Sequence, residues 1–242
     1  MDAAVLALVG ASVLVGAGMQ RMTGMGLTLV ASPLLVLLLG ANNGVSLLMA
    51  LGFASSITLV VTLWRRVEVL TAGKLFVPAL VGLIPGAWLI RVLPAPVLSI
   101  VLGVLVVVAI LASVASERAR VFKGTPGLLS AGFLSGFMNA ISGVGGPPVV
   151  LYALSTGWAQ ESFVATLQLY FTGISLATLG ARGWPALDVS VWVVAFAALA
   201  SGLFLGNILS RRVSSSAARV LMIAIALAGA LATIVKGVTA LV

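Results

Sequence analysis

Asn139-Ala140-Ile141-Ser142-Gly143-Val144-Gly145-Gly146-Pro147-Pro148 interrupts an apolar stretch that extends from about residue 126 to 157. Glycine admits backbone angles that stop a helix, and Pro147 and Pro148 lack an amide hydrogen while suiting the first turn of a new helix. The stretch therefore reads as two short helical arms, roughly 126–142 and 144–157, joined by a break. A second interruption, Gln20-Arg21-Met22-Thr23-Gly24-Met25-Gly26-Leu27-Thr28, separates short runs at about 3–20 and 24–40. Outward from these pairs lie six longer runs, at about 44–63, 72–92, 95–115, 159–181, 187–210 and 215–235. Each is near the roughly 20 residues that cross a bilayer as a helix.

Composition agrees. Of the 242 residues, 62% are hydrophobic and 7% charged, where a soluble domain carries about 25% charged residues. A soluble fold of this length could not hide so much apolar surface. The net charge of +8 could suggest nucleic acid, but the basic residues sit in short gaps between apolar runs. That is the pattern of cytoplasmic loops, and no nucleic-acid partner is expected. The absence of Cys and His removes disulfides, thiolate chemistry, imidazole catalysis and Cys/His ligation of zinc or haem. No nucleophile–base pair or metal cluster supports an enzyme, and no cofactor is expected. The N-terminus has neither the positive region nor the small-residue cleavage site of a removable signal peptide, so the first apolar run is expected to be kept.

The chain repeats internally. A shift of 120 residues lays Gly82-Leu83-Ile84-Pro85-Gly86 on Gly202-Leu203-Phe204-Leu205-Gly206, and Leu89 and Arg91 on Leu209 and Arg211. A shift of 119 lays Met19-Gln20-Arg21-Met22-Thr23-Gly24-Met25-Gly26 on Met138-Asn139-Ala140-Ile141-Ser142-Gly143-Val144-Gly145. The polar stretch Ser116-Glu117-Arg118-Ala119-Arg120-Val121-Phe122-Lys123-Gly124 marks the boundary. The expected organisation is a first transmembrane repeat over 1–115, a polar cytoplasmic linker over 116–125 and a second repeat over 126–242. If each broken pair enters and returns on one side, Arg65, Arg66, Lys74, Arg118, Arg120, Lys123, Arg211, Arg212 and Arg219 share a side, and Arg91, Arg182 and Lys236 fall opposite. The richer side is cytoplasmic. The fold class is then an all-α polytopic integral membrane protein of the cell inner membrane. It has two inverted-topology repeats, each a broken or re-entrant helix pair plus three transmembrane helices, an arrangement used by many secondary transporters. Trp64, Trp88, Trp158 and Trp184 fall near span ends, as an interfacial aromatic belt would.

The breaks carry the candidate chemistry. Irregular backbone at membrane depth survives where protein or a wet cavity satisfies its polar groups. A helix restarting after a break aims free N–H groups and a positive dipole end at the gap, which suits an anion. The expected substrate-binding residues are Gln20, Arg21, Thr23, Gly24, Gly26, Thr28, Asn139, Ser142, Gly143, Gly145, Gly146 and Gln168. Arg21 stands out, because an arginine within the bilayer is costly and needs a carboxylate or an anionic ligand. Asp2, Glu68, Glu117, Glu161 and Asp188 are the acids of the chain, and all lie near predicted ends or loops. The alternative for Arg21 is a shallow break from which the side chain snorkels to water. Gly82/Gly86 and Gly202/Gly206 read as small-residue helix contacts, Asn42-Asn43 as a connecting turn, Asn207 as a packing residue, and Gln168 equally as an interhelical hydrogen-bonder or a path-lining residue. The glycine-rich breaks have no Walker lysine and no strand–turn–helix context, which argues against nucleotide binding.

These residues also carry a resemblance to the sulfite exporter TauE/SafE transporters, spanning nearly the whole chain. That family has a Gly-x-Gly-Gly-Gly stretch in each half, with a proline five residues on in the first. Gly24-Met25-Gly26-Leu27-Thr28 with Pro33 keeps the spacing without two of the glycines, and Gly143-Val144-Gly145-Gly146-Pro147 keeps three of four. The Gly-x-x-x-Gly blocks ending near Arg91 and Arg211 are similar too. The resemblance implies outward transport of sulfite, other sulfur oxyanions or organosulfonates, with proton coupling compatible. An intramembrane acid or histidine for such coupling is missing, Glu161 being the nearest candidate, so the substrate carries its own proton or moves by uniport. The expected partners are a small anion and the lipid bilayer, with a homodimer compatible. The expected mechanism is alternating access at a site between the two breaks near mid-membrane. An anion channel, or a carrier of a non-sulfur organic anion, would use the same groups.

Overall fold

A computed structural model describes residues 2–23, 26–115, 122–210, 212 and 214–241. Nearly all of them are helical and none is in a strand. In lipid this follows directly, since a helix satisfies its own backbone groups where no water can. The elements are α1 (Ala3–Thr23), α2 (Gly26–Leu63), a 3₁₀ turn (Trp64–Arg66), α3 (Val69–Val92), α4 (Ala95–Ala115), α5 (Gly124–Ser142), α6 (Gly146–Thr156), α7 (Gln160–Arg182), α8 (Val189–Leu209) and α9 (Ser215–Thr239). Seven of these (α1, α2, α3, α4, α7, α8 and α9) are long and apolar enough to cross a membrane. The 11-residue α6 rises only about 16 Å at 1.5 Å per residue, short of a hydrocarbon core about 30 Å thick.

Two expectations need correction here. The run at 3–20 is not a short arm: it continues to Thr23 and, at 21 residues, is long enough to span. The turn expected at Asn42-Asn43 lies instead at Gly40, whose φ of 80° and ψ of 165° leave the helical region. A Cβ on Gly44 would sit 2.7 Å from the Leu35 carbonyl, whereas residues nine apart along a straight helix are about 13 Å apart. α2 is thus two limbs, 26–39 and 41–63, folded back at Gly40. Asn43 belongs to the second limb, and its Oδ1 accepts the Ala186 N–H at 3.2 Å.

The chain forms two compact units: unit 1 is Met1–Leu51, Pro94–Val107 and Trp184–Val242, and unit 2 is Gly52–Leu93 and Val108–Gly183. Each draws on both halves of the sequence. In unit 1, α1 packs along α8. A Cβ on Gly202 would approach the Leu14 oxygen to 2.4 Å, and one on Gly206 the Gly18 oxygen to 2.6 Å and the Arg21 Cβ to 3.0 Å. In unit 2, α3 packs along α5. There a Cβ on Gly82 would meet the Phe133 oxygen at 2.0 Å, one on Gly86 the Ala140 Cβ at 2.6 Å, and one on Gly136 the Ala79 oxygen at 1.9 Å. In lipid no hydrophobic force drives helices together, so close backbone approach supplies the contact. The Gly-x-x-x-Gly blocks are packing surfaces, as expected. Leu75, Ala79, Leu83, Val149, Leu167 and Tyr170 belong to the buried cluster of unit 2.

Candidate functional site

The two breaks fall in different units. The break of unit 2 is held by a set of buried hydrogen bonds. α5 ends on Gly143, whose φ of 72° is the left-handed conformation that glycine adopts without strain, and its N–H returns to the Asn139 carbonyl at 2.9 Å. The Ser142 hydroxyl donates to the Met138 carbonyl at 2.8 Å and accepts the Val144 N–H at 3.2 Å. Asn139 Nδ2 donates to the Thr178 hydroxyl at 2.8 Å. The Tyr170 hydroxyl donates to Ser135 Oγ at 2.7 Å, and that hydroxyl donates to the Gly145 carbonyl. Every residue from Met138 to Val149 is buried. A helix end at membrane depth requires this, because an unpaired amide there costs several kcal/mol.

Arg182 completes the closure. Its Nη1 donates to the Ala140 carbonyl at 2.6 Å and reaches the Ile141 carbonyl at 3.5 Å. Two of the carbonyls that α5 cannot pair within itself thus receive a cation, which also suits the negative end of the helix dipole. Sequence reasoning placed Arg182 in a loop on the side of Arg91. In the structure it is the last residue of α7, half-buried, with Arg91 Nη2 3.5 Å from the neighbouring Ala181 carbonyl. The available signal was a basic residue in the last turn of a span; the carbonyls it serves lie 41 and 42 residues upstream.

α6 restarts at once. Of its N-cap and first three residues, Pro147 and Pro148 carry no amide hydrogen, so Gly145 and Gly146 supply the N–H groups that the helix cannot use itself. Gly145 also permits close approach: a Cβ there would lie 2.9 Å from the Ser135 oxygen and 3.0 Å from the Asn139 Cβ. Gln168 on α7 is 2% exposed, and its Oε1 has no hydrogen-bond partner among the described residues.

The break of unit 1 has the same backbone logic and different side chains. A Cβ on Gly26 would lie 2.3 Å from the Met19 carbonyl carbon and 2.4 Å from the Gln20 nitrogen. The first limb of α2 therefore starts pressed against the end of α1, as α6 starts pressed against α5. Gln20 and Thr28 are half-buried. Gly24 lies outside the described residues, as does the side chain of Thr23. Arg21 is exposed, as the shallow alternative of the two expectations had it, and its Nε and Nη2 share one acceptor, Asn207 Oδ1, at 3.3 and 3.2 Å. Asn207 is two residues from the end of α8. Arg21 thus meets α8 near its end, and Arg182 reaches the second break from the end of α7, while Tyr170, bonded to Gly145 through Ser135, lies at the middle of α7.

Other expectations shift with the geometry. Glu161, the nearest candidate for an intramembrane acid, is exposed and pairs with Arg66 at 3.0 Å. Trp64, Trp88 and Trp184 are exposed, whereas Trp158 is packed edge-on against Tyr152 and Phe163 and donates to Glu68 Oε1 at 2.9 Å.

Comparison with curated proteins and with solved structures returns no match. A family model, that of the sulfite exporter TauE/SafE, matches residues 8–233, almost the full length of the helical fold described above. The chain is a multi-pass membrane protein that belongs to the sulfite exporter TauE/SafE family of sulfur-anion transporters.

Proposed function

We propose that this chain carries sulfite, or a related small sulfur oxyanion or organosulfonate, by alternating access across an inner membrane. Arg21 and the helix start beside it receive the anion. The observation that carries this reading is the partnering of Arg21. An exposed guanidinium shares one neutral amide oxygen at 3.2–3.3 Å and forms no ion pair among the described residues. An oxyanion displaces that amide without breaking a salt bridge and gains a charge-assisted, two-pronged contact. Beside Arg21, α2 begins with Gly26 and Leu27, both buried. Asn139, Ser142 and Gly143 take part chiefly by holding the second break in shape.

The matched contacts of the two units support reading the halves as inverted repeats. The pairs Gly82–Phe133 and Gly86–Ala140 correspond to Gly202–Leu14 and Gly206–Arg21 under the sequence shifts of 120 and 119 residues. With Glu161 tied to Arg66 and Glu68 bonded to Thr71 and Trp158, a proton that accompanies transport rides on the substrate.

The test is a thermal-shift panel of sulfite, sulfate, thiosulfate, taurine, sulfoacetate and simple carboxylates on purified protein, followed by flux in proteoliposomes. Stabilisation by sulfur anions that fades in Arg21→Ala, together with saturable flux, is the expected result. Stabilisation by cations or neutral solutes alone rejects the reading, and non-saturating flux at channel speed rejects the carrier.

A further inference from the structure

We propose that unit 2 carries a binding groove for an anionic phospholipid between the starts of α3 and α5. The groove is open and offers about 1060 Å³, just above the roughly 300–1,000 Å³ typical of small-molecule clefts and far more than a free oxyanion needs. Its walls include Leu70, Val77 and Leu129, of which Leu70 is 74% and Val77 63% exposed. Such side chains are at ease against acyl chains. Thr71, Lys74 and Thr125 also line it, and Lys123 immediately precedes the lining residue Gly124.

Charge complementarity selects the occupant. Lys74 and Lys123 are exposed and make no ion pair among the described residues. The acid facing this end, Glu68, is occupied by the Trp158 indole N–H and the Thr71 hydroxyl, and Arg66 offsets Glu161. The local balance is positive. The polar lining comes from the first two turns of α3 and the first turn of α5, and the apolar lining continues along both helices. Basic clefts between transmembrane helices on the positively charged side suit phosphate headgroups. An apolar groove with a basic mouth matches one molecule that has both an acyl tail and an anionic head.

The experiment measures binding to the purified full chain, by native mass spectrometry and thermal unfolding, of phosphatidylglycerol, of phosphatidylcholine with the same acyl chains, and of soluble glycerol phosphate. The expected result is a preference on the order of tenfold for phosphatidylglycerol over phosphatidylcholine, the attraction that two lysines near a headgroup supply. That preference should fall to near unity in Lys74→Gln/Lys123→Gln. In Val77→Trp, which fills the groove from an exposed position, both lipids should bind more weakly. Equal binding of the two lipids by the wild type, an unchanged preference in the double variant, or full reproduction of the shift by glycerol phosphate would each overturn the assignment.

Discussion

The two breaks use one backbone design and opposite chemistry. In both, a glycine lets a new helix begin against the helix just ended, Gly26 on Met19–Gln20 and Gly145 on Ser135–Asn139. In unit 2 the surrounding polar groups are spent on the break: Arg182, Ser142, Asn139 and Ser135 each satisfy a backbone or side-chain partner inside the protein. In unit 1 the position equivalent to Ala140 is Arg21, which faces outward to a neutral amide. One break has its arginine turned inward as structure, and the other has its arginine turned outward and open to exchange. An arginine near a helix interruption is therefore not by itself a ligand; what it already holds decides its role.

That contrast can be broken most severely at the helix contacts. Gly136→Ala would place a methyl group 1.9 Å from the Ala79 backbone oxygen, which no rotamer change relieves. A destabilisation of at least 3 kcal/mol, or failure to accumulate folded protein, is expected. Gly73→Ala, with nothing within 4 Å of the added atom, should stay within about 1 kcal/mol of wild type. Thermal unfolding in detergent checks both, and equal tolerance would end the packing account.

Next in size is the inward arginine. Arg182→Gln leaves the Ala140 and Ile141 carbonyls without their cation, and a loss of about 2–3 kcal/mol in stability is expected. Arg21→Gln should change stability by less than about 0.5 kcal/mol, as exposed substitutions do. If the two variants unfold alike, the distinction between the breaks fails.

The outward arginine is tested with less force and more sharpness by its partner. Asn207→Asp would give Arg21 a permanent carboxylate to compete with substrate, so sulfite affinity should fall about tenfold, an effect of about 1.4 kcal/mol. Asn207→Ala should leave affinity equal or raised. Binding titrations on the two variants decide, and an unaffected Asn207→Asp protein removes Arg21 from substrate contact. The smallest effect belongs to Glu161→Gln. Loss of an exposed ion pair to Arg66 should cost under about 1 kcal/mol and leave flux intact. Abolished flux would instead make Glu161 a coupling group.

Much of this was legible in the chain, for reasons tied to locality. Apolar runs of spanning length announced α3, α4, α7, α8 and α9, and the glycines at 82, 86, 202 and 206 announced close helix contacts, because length and small-residue spacing are local properties. Gly143 with Pro147 and Pro148 marked the second break almost to the residue. What escaped depends on distance. Asn42-Asn43 has the chemistry of a turn, yet Gly40 alone bends the chain, and the two asparagines continue the helix. Arg182 and Arg91 looked alike as loop charges, and the α5 carbonyls that pull Arg182 inward lie on another helix. Trp158 stood at a span end like Trp64, but Glu68, 90 residues upstream, holds it inside. The candidate ligands on α5 carried the right polarity, while their commitment to Thr178, Met138 and Gly145 could be seen only in three dimensions.

The interleaving of the two units has a consequence for how the protein is made. Unit 2 is complete in sequence by Gly183, so its helices can find one another while the ribosome is still at work. α1 is made well before its partner α8: the surface around Leu14 and Gly18 waits for Gly202 and Gly206 while all of unit 2 is synthesised. For that interval surrounding lipid, or an insertion chaperone, must cover the face of α1 that α8 later takes.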